Sequence, residues 1–200
     1  RIVPVIAALR AATKAPISID TMKPGVAMAA LAAGATIWND VAALQAPGAL
    51  ETAATLHRPV ILMHMKGEPR TMQDDPRYDD VVSEVIDFLR ARVATAVDKG
   101  VSDIWVDPGI GFGKTLEHNL ALLRNVRRIR DETGRPVVIG ASRKRFIRAI
   151  DERAGDASKD RLGGSVAAAL MAAQNGAAMV RVHDVAETVQ ALKVWRALQP

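Results

Sequence analysis

Two hundred residues with a formal net charge of +5 and 49% hydrophobic side chains suffice for a domain with a real core. With no cysteine there is neither a disulfide nor a thiolate metal site, which suits a reducing cytoplasm, and no run of about 18 apolar residues offers a membrane span. The basic side chains, Arg90, Arg92, Arg124, Arg127, Arg128 and Arg130 among them, are scattered over helix faces without aromatic interleaving. That pattern argues against a nucleic-acid partner and reads as solvated helix faces, of which a small anionic substrate would use only a few side chains.

In chain order, residues 1–13 read as an amphipathic helix and 17–20 as a short strand. Pro24 opens a helix that Gly34 closes, since proline suits the first helical position and glycine the one past the end. Strand 36–40, helix 47–57 and strand 59–64 follow. Residues 65–80 are polar and rich in Pro, Gly and charge, and at that length a lid or binding loop is expected. Helix 81–99 is closed by Gly100. The fourth strand, 104–107, runs into Pro-Gly-Ile-Gly-Phe-Gly-Lys, and a single helix is expected over 116–132, closed by Gly134. Strand 136–140 leads through residues 141–146 into a short helix, a charged loop and helix 161–175, which Gly176 stops. Strand 178–183 is the sixth, and Asp184 with Glu187 gives the last helix a capping-box-like start.

Short apolar strands alternating with helices predict an α/β fold with a parallel sheet under helices, either doubly wound or closed into a barrel. A (β/α)8 TIM barrel takes eight units in about 250 residues. Six units behind a leading helix fit such a barrel incomplete at its amino end. With no domain boundary, repeat or low-complexity tract, residues 1–200 are expected to form one domain.

Chemistry-bearing residues gather where the strands end: Asp20, Asn39, His64, Asp107, Arg181 and His183, with Lys144 just past the fifth strand. In parallel folds these ends share one face, the usual seat of catalysis. Singly, Asp20 could cap a helix, Asn39 could tie down a loop and His64 could be a satisfied core histidine. Jointly, packing does not explain them. Two buried carboxylates, Asp20 and Asp107, with Asn39 suit a flat heterocycle carrying adjacent N–H donors and acceptors. Lys144, Arg181 and His183 suit a phosphate-bearing group, and Ser142 lies where a turn opening a helix offers an anion site. Arg143 and Arg145 are expected to face solvent or the mouth of the site. Gly109, Gly111 and Gly113 allow positive φ angles and close approach of a ligand. Gly113-Lys114-Thr115 imitates the tail of a P-loop, but Pro108 stands where that motif needs its first glycine, and the dinucleotide fingerprint fails as well.

The runs I-S-I-D-T-x-K-P (17–24), W-N-D (38–40), L-M-H-M-x-G (62–67), D-P-G-I-G-F-G-K (107–114), G-A-S-R-K (140–144) and R-V-H-D-V (181–185) span the chain. Together they resemble the dihydropteroate synthase family of pterin-binding enzymes. The resemblance implies a (β/α)8 barrel, a cytoplasmic homodimer, Mg²⁺ as cofactor and sensitivity to sulfonamides. It also implies condensation of 4-aminobenzoate with 6-hydroxymethyl-7,8-dihydropterin diphosphate, giving 7,8-dihydropteroate and diphosphate. By the same resemblance Asp20, Asn39 and Asp107 hold the pterin edge, and Met63 and Phe112 line the pocket. Lys144 bonds the pterin near the aminobenzoate, while Arg181 stacks on the ring and joins His183 on the diphosphate. Asp107 and Lys144 are the catalytic candidates, with no strong base required and electrostatic preorganisation supplying most of the acceleration.

The family also carries N-V-T-P-D-S-F, whose asparagine helps to bind Mg²⁺ and diphosphate, and S-T-R-P-G, each on an earlier strand and loop. Neither run occurs among these residues, so the metal ligands are unknown, and a partial pterin pocket with little or no turnover is the expectation. Another pterin-binding barrel, such as a methyltetrahydrofolate methyltransferase, would share the carboxylates and the asparagine but need no diphosphate site. The S-R-K and R-V-H runs favour the synthase. A non-catalytic fragment or interaction module is the reading from a different class.

Overall fold

The computed structural model describes residues 1–68, 70–155 and 158–199; Pro69 of the expected lid and residues 156–157 of the expected charged loop lie outside them. The elements alternate as α1 (Ile2–Ala12), β1 (Ser18–Asp20), α2 (Pro24–Ala32), β2 (Ile37–Asp40), α3 (Ala49–Leu56), β3 (Val60–Met63), α4 (Val81–Asp98) and β4 (Ile104–Asp107). They continue as α5 (Leu116–Arg124), α6 (Val126–Thr133), β5 (Val138–Ile139), α7 (Arg145–Ile150), α8 (Leu162–Gln174), β6 (Met179–Val180) and α9 (Val185–Ala197). Two 3₁₀ turns, Glu152–Ala154 and Ser158–Arg161, separate α7 from α8. The chain divides into two compact units, residues 1–64 with 87–107 and residues 65–86 with 108–200.

The first unit is built on a four-stranded parallel sheet in the order β1-β2-β3-β4. All four residues of β3 are buried, as befits a central parallel strand with both faces covered. Trp38 of β2 is 0% exposed, and its indole Nε1 donates to the Thr21 carbonyl at 2.8 Å, so the largest aromatic is both packed and satisfied. After β2 the backbone turns through left-handed φ angles of 52° at Ala43 and 58° at Leu44. The buried Asp40 carboxylate holds that turn by accepting from the Ala42 and Leu44 amides at 2.8 and 2.9 Å. Arg92 closes it from α4 by donating to the Ala43 and Leu44 carbonyls. Burial raises the Asp40 pKa, and the two amide donors act in the opposite direction.

The second unit contains β5 and β6 paired in parallel, Val138 opposite Met179 and Ile139 opposite Val180. Both strands are shorter than the expected 136–140 and 178–183. The ladder nonetheless runs on, with Ala178 N donating to Val137 O and Arg181 N to Ile139 O, each at 2.9 Å. Pro136 has no N–H to extend it. The single helix expected over 116–132 is two, α5 and α6, broken at Asn125, whose φ and ψ are −108° and 22°. Its side-chain amide donates to the Ala121 carbonyl at 2.9 Å, the local backbone bond that makes asparagine a poor interior helix residue.

Truncating Trp38 should be among the costlier changes in the first unit. Trp38→Ala is expected to lose about 3–5 kcal/mol of stability through the cavity it leaves. Trp38→Phe should lose about 1–3 kcal/mol, chiefly from the orphaned Thr21 carbonyl. Urea unfolding midpoints at constant slope would measure both.

Candidate active site

In the first unit the strand ends bring Asp20 and Asn39 together: they stand opposite each other in the β1–β2 register, and Asn39 Nδ2 donates to Asp20 Oδ2 at 2.9 Å. Met63 and Asp107 are likewise opposite in the β3–β4 register, 1% and 2% exposed. Asn39 is buried at 5% exposure. Asp20 differs from the expected buried carboxylate: it is exposed, because β1 has a sheet neighbour on one side only and turns Ser18 and Asp20 outward. The bond from Asn39 fixes the Asp20 carboxylate all the same. His64 is buried edge-on against Phe88 with ring centroids 4.9 Å apart, and its backbone amide donates to Asp107 O. It is packed as a core histidine.

In the second unit the glycine loop after β4 has the conformation the sequence suggests, with φ of 71°, 80° and 62° at Gly109, Gly111 and Gly113. A Cβ at Gly113 would lie 2.1 Å from the Lys66 carbonyl oxygen. Only glycine admits that approach. Gln73 and Tyr78 bind this loop: Gln73 Nε2 donates to Gly111 O at 2.6 Å and the Tyr78 hydroxyl to Gly113 O at 2.9 Å. Burial raises the Tyr78 pKa, which keeps that hydroxyl protonated as a donor. Lys66 Nζ stands 4.1 Å from the centre of the Tyr78 ring and 3.3 Å from Glu84. The P-loop imitation dissolves here. Lys114 is buried and donates to the Phe112 carbonyl, and Thr115 caps α5 in a capping box with His118.

Lys144 reaches the same loop from the start of α7, its Nζ 4.1 Å from the centre of the Phe112 ring. A Cβ at Gly111 would meet Lys144 Cδ at 3.1 Å, so the loop backbone is the surface on which the lysine lies. Lys144 also lines a cavity of about 650 Å³ with Arg70, Gln73, Lys114, Asn119 and Arg161. The Arg181 guanidinium lies across Gly140, where a Cβ would come within 3.1 Å of its Nη2. Both Arg181 and His183 are exposed. Ser142, 5% exposed, brings His183 to the loop after β5, since its Oγ accepts from the His183 amide at 3.3 Å and lies 3.0 Å from Nδ1.

One expectation fails here: the Asp184 side chain makes no cap hydrogen bond to α9, because it pairs with Arg143 through Nε and Nη2. Arg143 is half-buried and lines the same cavity as Lys144. A forked guanidinium outcompetes a backbone amide for a carboxylate, and its hydrogen bonds hold the Asp184 pKa below its ordinary value. Arg143 itself has a φ of +59°, fixed by Arg161 Nη1 donating to its carbonyl and by its own amide donating to Ser165 Oγ. Arg145 is exposed as expected.

The arrangement offers hydrogen-bond acceptors in one unit and cations with an aromatic face in the other. No three His, Asp or Glu side chains gather to hold a metal ion among the described residues. Sequence reasoning missed Asn119, Gln73 and Tyr78, none of which ends a strand. The only signal for Asn119 was its position three residues past the Leu116 that opens α5 behind the glycine loop.

The family model described as "Pterin binding enzyme" matches residues 1–183. The dihydropteroate synthase of Haemophilus influenzae is 45% identical over 200 residues, covering 98% of this chain and 71% of the relative. The crystal structure of dihydropteroate synthase from Stenotrophomonas maltophilia with active site-bound imidazole superposes with a TM-score of 0.95 at 50% identity, covering 99% of this chain and 74% of that one. The Xanthomonas albilineans dihydropteroate synthase in complex with 7,8-dihydropteroate gives 0.92 at 48% identity, covering all of this chain and 76% of that one.

Gly113→Ala combines left-handed strain with a contact no side chain can make, and is expected to cost on the order of 3 kcal/mol. Gly25→Ala, where a Cβ meets nothing within 4 Å, should be close to neutral. Thermal unfolding of the pair, with proteolysis across residues 65–80, measures the difference. His118 gives a pH dependence. Burial first, and then Lys114, lowers its pKa, and its Nδ1 must stay unprotonated to accept from the Thr115 amide. Its stabilising contribution is therefore complete above the unfolded pKa of about 6.5 and is lost as pH falls through the lower folded value. Unfolding curves between pH 5 and 8 should show this slope, reduced in His118→Gln.

Proposed function

The chain belongs to the dihydropteroate synthase family, and from that premise we propose which of its residues carry the reaction. The fold class is the family's, parallel strands alternating with helices in the manner of its TIM-barrel structures. The activity is that of a transferase in folate biosynthesis, joining 4-aminobenzoate to the dihydropterin methylene and releasing diphosphate. Residues 1–200 are taken to act as one pterin-binding domain.

In this reading Asp20, Asn39 and Asp107 receive the N–H edge of the pterin, with Met63 beneath it. The observation that carries the reading is Asp107, a carboxylate 2% exposed at the end of β4, in the same parallel sheet as an asparagine and a second carboxylate already bonded to each other. Carboxylates accept paired N–H bonds strongly when desolvated. Lys144 and Phe112 are assigned to the ring, and Arg181 and His183 to the diphosphate. Arg181 resting on Gly140 and His183 bonded to Ser142 support this division of labour.

The reaction follows from those charges. The methylene C–O bond breaks with its electron pair leaving on the diphosphate, which Arg181 and His183 stabilise. Asp107 stabilises the pterin cation left behind. The arylamine nitrogen then forms the C–N bond with its lone pair and gives up a proton. Fixed charges aimed at a leaving anion and a forming cation supply most of the acceleration, and no strong base is required. Mg²⁺ comes with the family, and the described residues gather no cluster of three His, Asp or Glu side chains to hold it. No step here runs through the ion. A homodimer and a cytoplasmic location complete the proposal; exposed Ile150 and Met171, which line one hollow of the second unit, offer apolar surface for a second copy. Among the described residues no helix is long and apolar enough to cross a membrane.

Calorimetric titration with 6-hydroxymethylpterin diphosphate and Mg²⁺ tests the assignment. Saturable binding is expected, weakened at least ~10-fold in Asp107→Asn through loss of a charge-assisted acceptor. Equal affinity in the mutant would remove Asp107 from the site. Binding of the same strength to 6-hydroxymethylpterin alone would remove the diphosphate role and favour a methyltransferase-like pocket.

A further inference from the structure

We infer that Asn119 is a positioning residue, a buried amide clamp that sets the glycine loop and through it the Phe112 ring and the Lys144 ammonium. The inference rests on the reading of Phe112 and Lys144 as pterin-binding residues.

Asn119 lies on α5 and is 3% exposed. Its Oδ1 accepts from the Gly111 amide at 2.6 Å, and its Nδ2 donates to Thr115 O at 2.6 Å and to Lys114 O at 3.4 Å. One side chain thus grips the loop at the residue before Phe112 and at the two residues that close it. A carboxamide suits the task because it presents an acceptor and two donors from one planar group. Gly111 has a φ of +80°, so no intraloop ladder orients its amide, and the Asn119 oxygen does that instead. The consequence reaches Lys144 directly. Its Cδ stands 3.1 Å from where a Gly111 Cβ would be, and its Nζ is 4.1 Å from the centre of the Phe112 ring. A rotation of the Gly111 peptide moves the floor under the lysine and the ring against it. Gln73 holds the Gly111 carbonyl, so Asn119 and Gln73 fix opposite ends of that residue's hydrogen-bonding capacity. Leaving the Gly111 amide or the Thr115 carbonyl unmet in a buried site is costly enough to displace the loop.

Aspartate has the same shape and separates this role from simple packing. As a carboxylate, Asn119→Asp keeps an acceptor for Gly111 N but turns negative oxygens toward the Lys114 and Thr115 carbonyls. Once protonated, it recovers a donor and resembles the amide. The charged and titratable groups around it are Lys114 beside it in the loop, His118 on the same helix, and Arg70, Asp74, Arg143, Lys144, Arg145 and Arg161, which line the same cavity. These also surround the wild-type residue, so the quantity to read is the mutant-to-wild-type ratio of dissociation constants for 6-hydroxymethylpterin diphosphate.

That ratio should be at least tenfold at pH 8 and should shrink to within about threefold as pH falls to 5.5. Asn119→Leu, with neither donor nor acceptor, should give a loss that does not shrink. A ratio near one at pH 8 would overturn the inference, and so would a large ratio that does not change with pH. Lys144→Ala is measured alongside. Wild-type affinity in that variant would overturn the site reading itself, whereas a loss there with an unaffected Asn119→Asp would overturn only the positioning role.

Discussion

The Lys66 carbonyl stands where a side chain at Gly113 would begin, and the organisation of the second unit follows from that contact. A backbone oxygen can come so near only to a glycine. With the approach made, Gln73 and Tyr78 bind the loop after β4. Asn119 holds the same loop from the helix side. Phe112 and Lys144 are therefore presented by a segment whose backbone is tied at several points. A pocket that acts by fixed electrostatics needs that rigidity, because groups that must reorganise during reaction lose much of their effect.

The two units contribute different chemistry. The first supplies acceptors, Asp107 and Asn39 buried and Asp20 exposed but bonded, on the rim of a parallel sheet. The second supplies cations, and three of its side chains are oriented by neighbours rather than left to solvent. Arg181 rests on Gly140, His183 touches Ser142 and Arg143 is paired with Asp184. Arg143 is the strained member. A left-handed φ in a residue with a full side chain persists only where surrounding bonds over-determine it, and Ser165, Arg161 and Asp184 do so here.

Much of this was legible in the sequence because it rests on side chains at strand ends. The alternation of apolar runs and helices located all six strands, and the polar residue closing each run marked Asp20, Asn39, Asp107, Arg181 and His183. Glycine at 109, 111 and 113 announced the loop. What escaped notice depends on backbone groups or on distant competition. The bond from Asn119 to Gly111 and the approach of Lys66 to Gly113 involve carbonyls and amides that every residue possesses. The Asp184–Arg143 pair joins residues 41 apart, so a local capping pattern at 184–187 gave the wrong partner. The break at Asn125 was missed because periodicity continues through it while the side chain bonds its own helix. The exposure of Asp20 depends on β1 having one neighbour in its sheet, a property of topology and not of residue type.

The most direct test of the central claim is a crystal structure of this protein with 6-hydroxymethylpterin diphosphate bound. The expected complex has the ring's N–H edge on Asp107 and Asn39, its face near Phe112 and Lys144, and the diphosphate on Arg181 and His183, with the glycine loop unmoved. A ligand seated elsewhere, or a glycine loop rebuilt to receive it, would contradict a site held ready by the Gly113–Lys66 contact.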